Sequence, residues 1–265
     1  MALDVKNLKV SLSFGEIIVD DVSFEIDQGQ MFSLVGGSGA GKTTVCRAVM
    51  GLLPDNYIVE GSINFGDRDL RKLNKKQISG IYGKEICFIM QNPMAAFNPS
   101  IRIGKQLERS YLHHHREAEK TGIRKRYEAI LDGLGLDDTK RILKNYPFEL
   151  SGGMLQRIMI AAAIIEEPKL LVADEATTAI DACNRMELMQ QMKKLCGQGM
   201  SVLFVTHDLK AASVSDRIMI MNHGRIVETG QTDMVMNSPQ NEFTKELVSA
   251  CVLKREGRDA YDRTK

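Results

Sequence analysis

Within Gly36-Gly37-Ser38-Gly39-Ala40-Gly41-Lys42-Thr43, four glycines share eight positions with a lysine and two hydroxyls. Glycines let a backbone close on an anion and turn its N–H groups inward. The lysine adds a point charge, Thr43 offers a hydroxyl to a divalent cation, and a following helix contributes its positive end. The segment follows the apolar run 31–35 and precedes a helical pattern carrying Val45, Val49 and Leu52. That strand, loop and helix order is what a phosphate-binding loop requires, and an ordinary glycine-rich turn does not need it. Gly36, Gly37, Ser38, Gly39, Ala40, Gly41, Lys42, Thr43 and Thr44 are therefore expected to hold a nucleoside triphosphate.

A second apolar run, 170–173, ends in Asp174 and Glu175. Adjacent carboxylates at a strand end can divide labour, Asp174 toward Mg²⁺ and Glu175 toward orienting and deprotonating an attacking water. Alone, such a pair also fits a solvated loop or a helix cap, and the phosphate-binding loop tips the reading to catalysis. Third, Ser151-Gly152-Gly153 stands directly before an apolar helical stretch that Pro168 ends. An exposed helix start is an anion site in its own right, although a serine cap followed by glycine is the simpler reading for an isolated Ser-Gly-Gly. One chain has little use for two separate phosphate-binding helix ends.

These groups need a scaffold, and 265 residues with 43% hydrophobic composition can bury a sizeable core. Short β-branched runs alternate with longer helical patterns, predicting α/β architecture with a mostly parallel sheet. Strands are expected at 8–12, 17–19, 22–26, 31–35, 63–65, 86–90, 170–173, 201–205, 218–221 and 225–227. A charged helical insert is expected over about 98–167, with Ile103, Leu107 and Tyr111 spaced four apart. One domain, 1–240, would be followed by a short helix, 242–252, and a charged tail to 265. Thirty-five basic and 34 acidic residues nearly cancel, so no global field favours nucleic acid, and none is expected as a partner. Five scattered cysteines without a Cys-x-x-Cys pair fit reduced thiols. No run resembles a signal peptide or a membrane span. Any membrane role must work through other chains.

The order of phosphate loop, Gln91, Ser-Gly-Gly, Asp174-Glu175 and His207 after the run 202–205 resembles the ATP-binding cassette (ABC) family over nearly the whole chain. The resemblance implies an α/β phosphate-loop NTPase core (RecA-like), an antiparallel β subdomain and a helical subdomain insert. It further implies that two cassettes pair head to tail, each ATP lying between the phosphate loop of one and the signature helix of the other. Carried over by position, Phe14 resembles the aromatic that stacks on adenine, and Gln91 the lid glutamine near Mg²⁺ and the attacking water. In the same way His207 resembles the switch histidine, and Asp181 the aspartate of the loop crossing the dimer interface. Ser151, Gly152, Gly153 and Gln156 resemble the signature. Glu175, His207 and Gln91 are thus the expected catalytic set, and Thr43, Gln91 and Asp174 the Mg²⁺ set.

Two positions depart from the pattern: Ala176 stands where the family usually has proline, and Ile180 where it has leucine. Neither removes a functional group, though Ala176 loosens φ in the loop after Glu175. Met154 and the stretches Gln91 to Pro99 and Tyr146 to Arg157 are similar to the peptide and nickel importer branch. With only Cys251 near the end in place of a cysteine cluster, the resemblance leans to the nickel or metallophore side. It implies a peripheral subunit on the cytoplasmic face of the inner membrane, heterodimerised with a second cassette ATPase. Two transmembrane permease subunits and an extracytoplasmic substrate-binding protein complete that picture, with the Asn92 to Pro99 loop receiving a coupling helix. A di- or oligopeptide importer is the direct alternative. A cassette ATPase without transport would carry a coiled-coil insert or a second cassette, and a kinase would not need the signature segment. His113-His114-His115 does not mark a metal site, because consecutive helical residues fan out about 100° apart. A solvated helix face is expected there.

Overall fold

The computed structural model describes residues 1–178 and 180–251, with residue 183 described by its backbone. Strands β1 (Leu3–Leu12), β2 (Ile17–Ile26), β4 (Tyr57–Phe65) and β5 (Arg68–Asp69) form an antiparallel sheet in the order β2-β1-β4-β5. Strands β3 (Met31–Val35), β6 (Ile86–Ile89), β7 (Leu170–Asp174), β8 (Ser201–Thr206), β9 (Arg217–Asn222) and β10 (Arg225–Gln231) form the second, in the order β10-β9-β3-β8-β7-β6. All its pairings are parallel except that of β10 with β9.

Every residue of β3, β7 and β8 is buried, as expected of parallel strands covered on both faces. Along β8 the side chains alternate between two cores. Val202 and Phe204 join the cluster beneath the sheet, while Leu203 and Val205 join the one shared with the antiparallel sheet. Helix α1 (Lys42–Val49) packs in the latter through Val45 and Val49. Short helices α2 (Lys75–Ser79) and α3 (Pro93–Ala96) flank β6.

The charged segment is helical as expected, with α4 (Ile103–His114), α5 (Lys120–Gly133), α6 (Thr139–Ile142) and α7 (Gly152–Ile164). Ile103, Leu107 and Tyr111 form a buried stripe facing Ile123, Tyr127 and Leu131 of α5. The Arg157 guanidinium of α7 donates to the carbonyls of Leu134 and Gly135 at 2.9 and 2.8 Å, satisfying the end of α5. The hydrophobic cluster of these helices runs without a break into Cys87, Leu171, Val202 and Phe204 under the sheet. After β7 come α8 (Ala182–Cys196), α9 (Leu209–Ala212) and α10 (Thr232–Asn237). Residues 242–251 are helical, and the rest of the expected terminal helix and tail, 252–265, lies outside the described residues.

Two expectations are corrected, and one strand carries no sequence signal. The runs at 17–19 and 22–26 are one strand, because Asp21 and Asn7 both adopt left-handed backbone (φ 53° and 49°) in an irregular stretch of the β1–β2 ladder. There Asn7 Nδ2 donates to Asp21 Oδ1 at 2.8 Å, so the polar residues that read as a break are a bulge. The last strand of the antiparallel sheet, the two-residue β5, had no hydrophobic signal at all. The histidine tract is also not a solvated face, since only His113 is exposed. His115 stacks on Tyr111 with centroids 4.2 Å apart, and its Nε2 lies 2.8 Å from Glu166 Oε2. Burial holds the His114 imidazole below its ordinary value.

Candidate functional site

The glycine-rich loop leaves the end of β3, at the centre of the parallel sheet, and enters α1. Its glycines differ in purpose. A Cβ at Gly36 would lie 2.2 Å from the Met221 carbonyl oxygen, and one at Gly41 (φ 98°) 3.0 Å from that of Ile18. Those two positions are glycine because β9 and β2 press against the loop. At Gly37 and Gly39 a Cβ would meet nothing within 4 Å, so that side of the loop is open for approach by a ligand. The Lys42 ammonium donates to the carbonyls of Gly36 and Gly37 at 2.9 and 2.8 Å. Burial lowers its pKa from the ordinary lysine value, against the opposing pull of Glu175 and Asp174.

Strand β7 delivers the acidic pair beside this loop. Thr43 Oγ1 donates to Asp174 Oδ1 at 3.2 Å. Burial pushes the Asp174 carboxyl up, the Thr43 hydrogen bond opposes it, and Glu175 adds repulsion. Glu175 takes left-handed backbone (φ 51°), and its N–H donates to the Val205 carbonyl at 2.9 Å. A non-glycine residue in that conformation costs on the order of 1 kcal/mol and persists where its surroundings enforce it. The turn aims the carboxylate at His207, whose Nδ1 lies 2.8 Å from Oε1. The other oxygen, Oε2, is buried with no hydrogen-bond partner. An unmatched acceptor there, in a residue only 7% exposed, is suited to a donor brought in with a substrate.

The donor set fits a magnesium nucleotide. Thr43, Asp174 and Gln91 offer hard oxygens, and among the described residues no cluster of three His, Cys, Asp or Glu could form a complete protein-made metal cage. Mg²⁺ characteristically takes few protein ligands and completes its shell with phosphates and water. Gln91 follows β6, whose Ile89 is level with Ala173 in the parallel ladder, so it emerges beside the acidic pair and is exposed. Phe14, 73% exposed, sits in the β1–β2 turn. The nearby Ile18 and Val19 of that hairpin border Gly41.

The remaining expected residues lie on the exposed side. Ser151 caps α7, its hydroxyl accepting from Met154 N at 3.2 Å, with Gly152 and Gly153 opening the helix. Asp181 caps α8, accepting from the backbone and side-chain nitrogens of Asn184 at 3.1 and 2.6 Å. Gln156 is the exception: it is wholly buried within α7 and is not presented at the helix start with Ser151. Ala176 and Ile180, the two departures, are buried, so both fill apolar space. Sequence reasoning missed Met221, whose carbonyl forms the floor under Gly36, and Asp208, which caps α9 directly after His207. Only the second had a signal, an acid one residue before a helical run.

A model of the family described as ABC transporter matches residues 19–178. The oligopeptide transport ATP-binding protein OppD of Bacillus subtilis is 37% identical over 94% of this chain and 71% of its own. The metal-staphylopine import system ATP-binding protein CntD of Staphylococcus aureus is 37% identical over 93% of this chain and 92% of its own. Among solved structures, the ATP-binding cassette MJ0796, a dimer bound to ADP and Pi, matches with a TM-score of 0.78. It is 27% identical, over 87% of this chain and 98% of that one. Among the described residues no helix is long and apolar enough to cross a membrane.

Proposed function

The chain belongs to the ABC transporter family as a transport-coupled ATPase of the peptide and metal importer type, and from that premise we propose how its residues divide the work. The observation that carries the proposal is the contact between Glu175 and His207 beside the Thr43–Asp174 pair. Lys42 and the loop amides of 36–43 bind the β- and γ-phosphates, and Phe14 stacks on the base. Thr43, Asp174 and Gln91 hold Mg²⁺, which when bound screens the phosphate charge. Glu175 orients the attacking water and accepts its proton, while His207 fixes the Glu175 carboxylate and reaches toward the γ-phosphate. Phosphoryl transfer asks mainly for this positioning and charge stabilisation.

Ser151, Gly152 and Gly153 serve a nucleotide bound by a second cassette, and Asp181 lies in the loop that meets it. That second cassette is a different chain. The heterodimer sits on the cytoplasmic face of the membrane under two permease subunits, fed by an external binding protein. We assign the cargo as nickel or a related transition metal carried as a small chelate. The stretches Gln91 to Pro99 and Tyr146 to Arg157 support that reading, and so does the similarity to the metal-staphylopine protein. The oligopeptide and dipeptide proteins are equally similar, and they favour a short peptide as the second reading.

Purification from native membranes should return this chain with a second cassette subunit and two permeases. Uptake in cells lacking the gene decides the cargo. Deficient nickel or cobalt accumulation with normal growth on di- and oligopeptides supports the metal reading, and the reverse pattern sinks it.

A further inference from the structure

Arg185, near the start of α8, works against its own helix. The N-terminal end of a helix carries partial positive charge and favours acids, so helix stability gives no reason for a cation there. Its contacts do. Nη2 donates to the carbonyl of Ile180, the residue before Asp181, at 3.0 Å, and Nη1 donates to Asp208 Oδ2. Both side chains of that ion pair are about three-quarters buried, at 23% and 26% exposure.

Asp208 splits its two oxygens. Oδ1 accepts from the backbone of Lys210 and Ala211 and caps α9, leaving Oδ2 for the guanidinium. The Asp208 N–H donates to Thr206 Oγ1 at 3.0 Å, pinning the turn that carries His207. His207 contacts Glu175, and the Glu175 carbonyl accepts from Thr178 N and Oγ1 at 3.2 and 3.1 Å. A ring of contacts therefore runs from Glu175 through His207, Asp208 and Arg185 to the loop that returns to Glu175.

We propose that Arg185 is a positioning residue for hydrolysis, a strut tying the Asp181 loop to the turn that aims His207 at Glu175. Docking of a second cassette against Asp181 would then be felt at the general base through one side chain. This rests on the assignment of Glu175 and His207 to hydrolysis.

The test is ATP turnover by the transporter complex purified with its partner subunits, carrying R185Q, R185K, D208N or R185Q/D208N. The amide introduced by D208N would keep an oxygen for the α9 cap and turn an NH2 toward Arg185, removing both the charge and the acceptor that the guanidinium meets. R185Q and D208N should each lower kcat roughly tenfold to a hundredfold, with KM for ATP within about twofold. The double variant should be no worse than the poorer single, and R185K should fall between R185Q and wild type. Wild-type kcat in R185Q, single losses that multiply in the double variant, or losses that merely follow the folded fraction in a thermal melt would each overturn the strut. E175Q in the same preparation separates the two levels of argument. If it turns over normally, the reading of the site fails. If it stalls while R185Q does not, only the strut fails.

Discussion

The phosphate loop with its acidic pair, and the set Phe14, Gln91, Ser151 and Asp181, differ in burial more than in chemistry. Lys42, Asp174 and Glu175 are each 7% exposed or less and hold internal contacts, whereas all four residues of the second set are exposed. The buried group is wired by one chain: Lys42 to its own loop, Asp174 to Thr43, Glu175 to His207. Ser151 and Asp181 spend their oxygens on capping their own helices. The difference teaches where rigidity is placed. On the proposed reading, groups that must be held to a fraction of an ångström around the phosphates are packed against the sheet, and groups that close over the nucleotide or meet another chain stand at its rim.

The sharpest way to break this contrast is Glu175→Gln. Losing charge and basicity with shape kept should cut turnover roughly a hundredfold to a thousandfold and leave nucleotide affinity intact. Lys42→Ala should weaken nucleotide binding itself. Equilibrium binding and steady-state turnover on the two complexes check both. At the rim, Gly152→Asp puts a negative charge at the start of α7, where the helix end favours an incoming anion. Turnover of the assembled pair should fall at least tenfold or so, while nucleotide binding by the isolated chain is unchanged. A loss of binding by the isolated chain would erase the distinction. Phe14→Ala should cost about 1–2 kcal/mol of nucleotide affinity, the scale of one aromatic stack on a base, with kcat unaltered at saturation.

The smallest effect concerns the burial of charge. Because burial raises the Asp174 pKa in the folded chain, ionisation of this group opposes folding. The penalty is absent below the unfolded carboxylate value, grows as pH rises toward the folded pKa, and is complete only above it. Asp174→Asn should therefore raise the melting temperature of the nucleotide-free chain by a few degrees or so at pH 7, and by less as pH approaches 4. A lower melting temperature at pH 7 would show that the Thr43 contact outweighs desolvation.

Much of this was legible in the residues. Glycine, lysine and acid positions announce themselves because few side chains can do phosphate chemistry, and β3, β7 and β8 read as strands because continuous burial leaves only apolar runs. What was hidden depends on contacts between distant segments. The bulge joining the two halves of β2 needs Asn7, fourteen residues from Asp21. The burial of Gln156 was masked because α7 is apolar on nearly every side, leaving no polar face to orient it. The Arg185–Asp208 pair spans 23 residues and has no periodicity to betray it.

The unbroken cluster from Tyr111 and Leu131 to Leu171 and Phe204 has a mechanical consequence. A lobe with its own sealed core can swing on a hinge, since nothing packed is disturbed. Helices whose interior is continuous with that of the sheet cannot, because a large rotation would open voids on one side and collisions on the other. Displacement of α4 to α7 against the sheet is therefore expected as a short slide of packed surfaces past one another, of the kind termed shear. The same continuity leaves the helices no separate melting point: calorimetry of the isolated chain should give one heat-absorption peak in which they and the sheet come apart together.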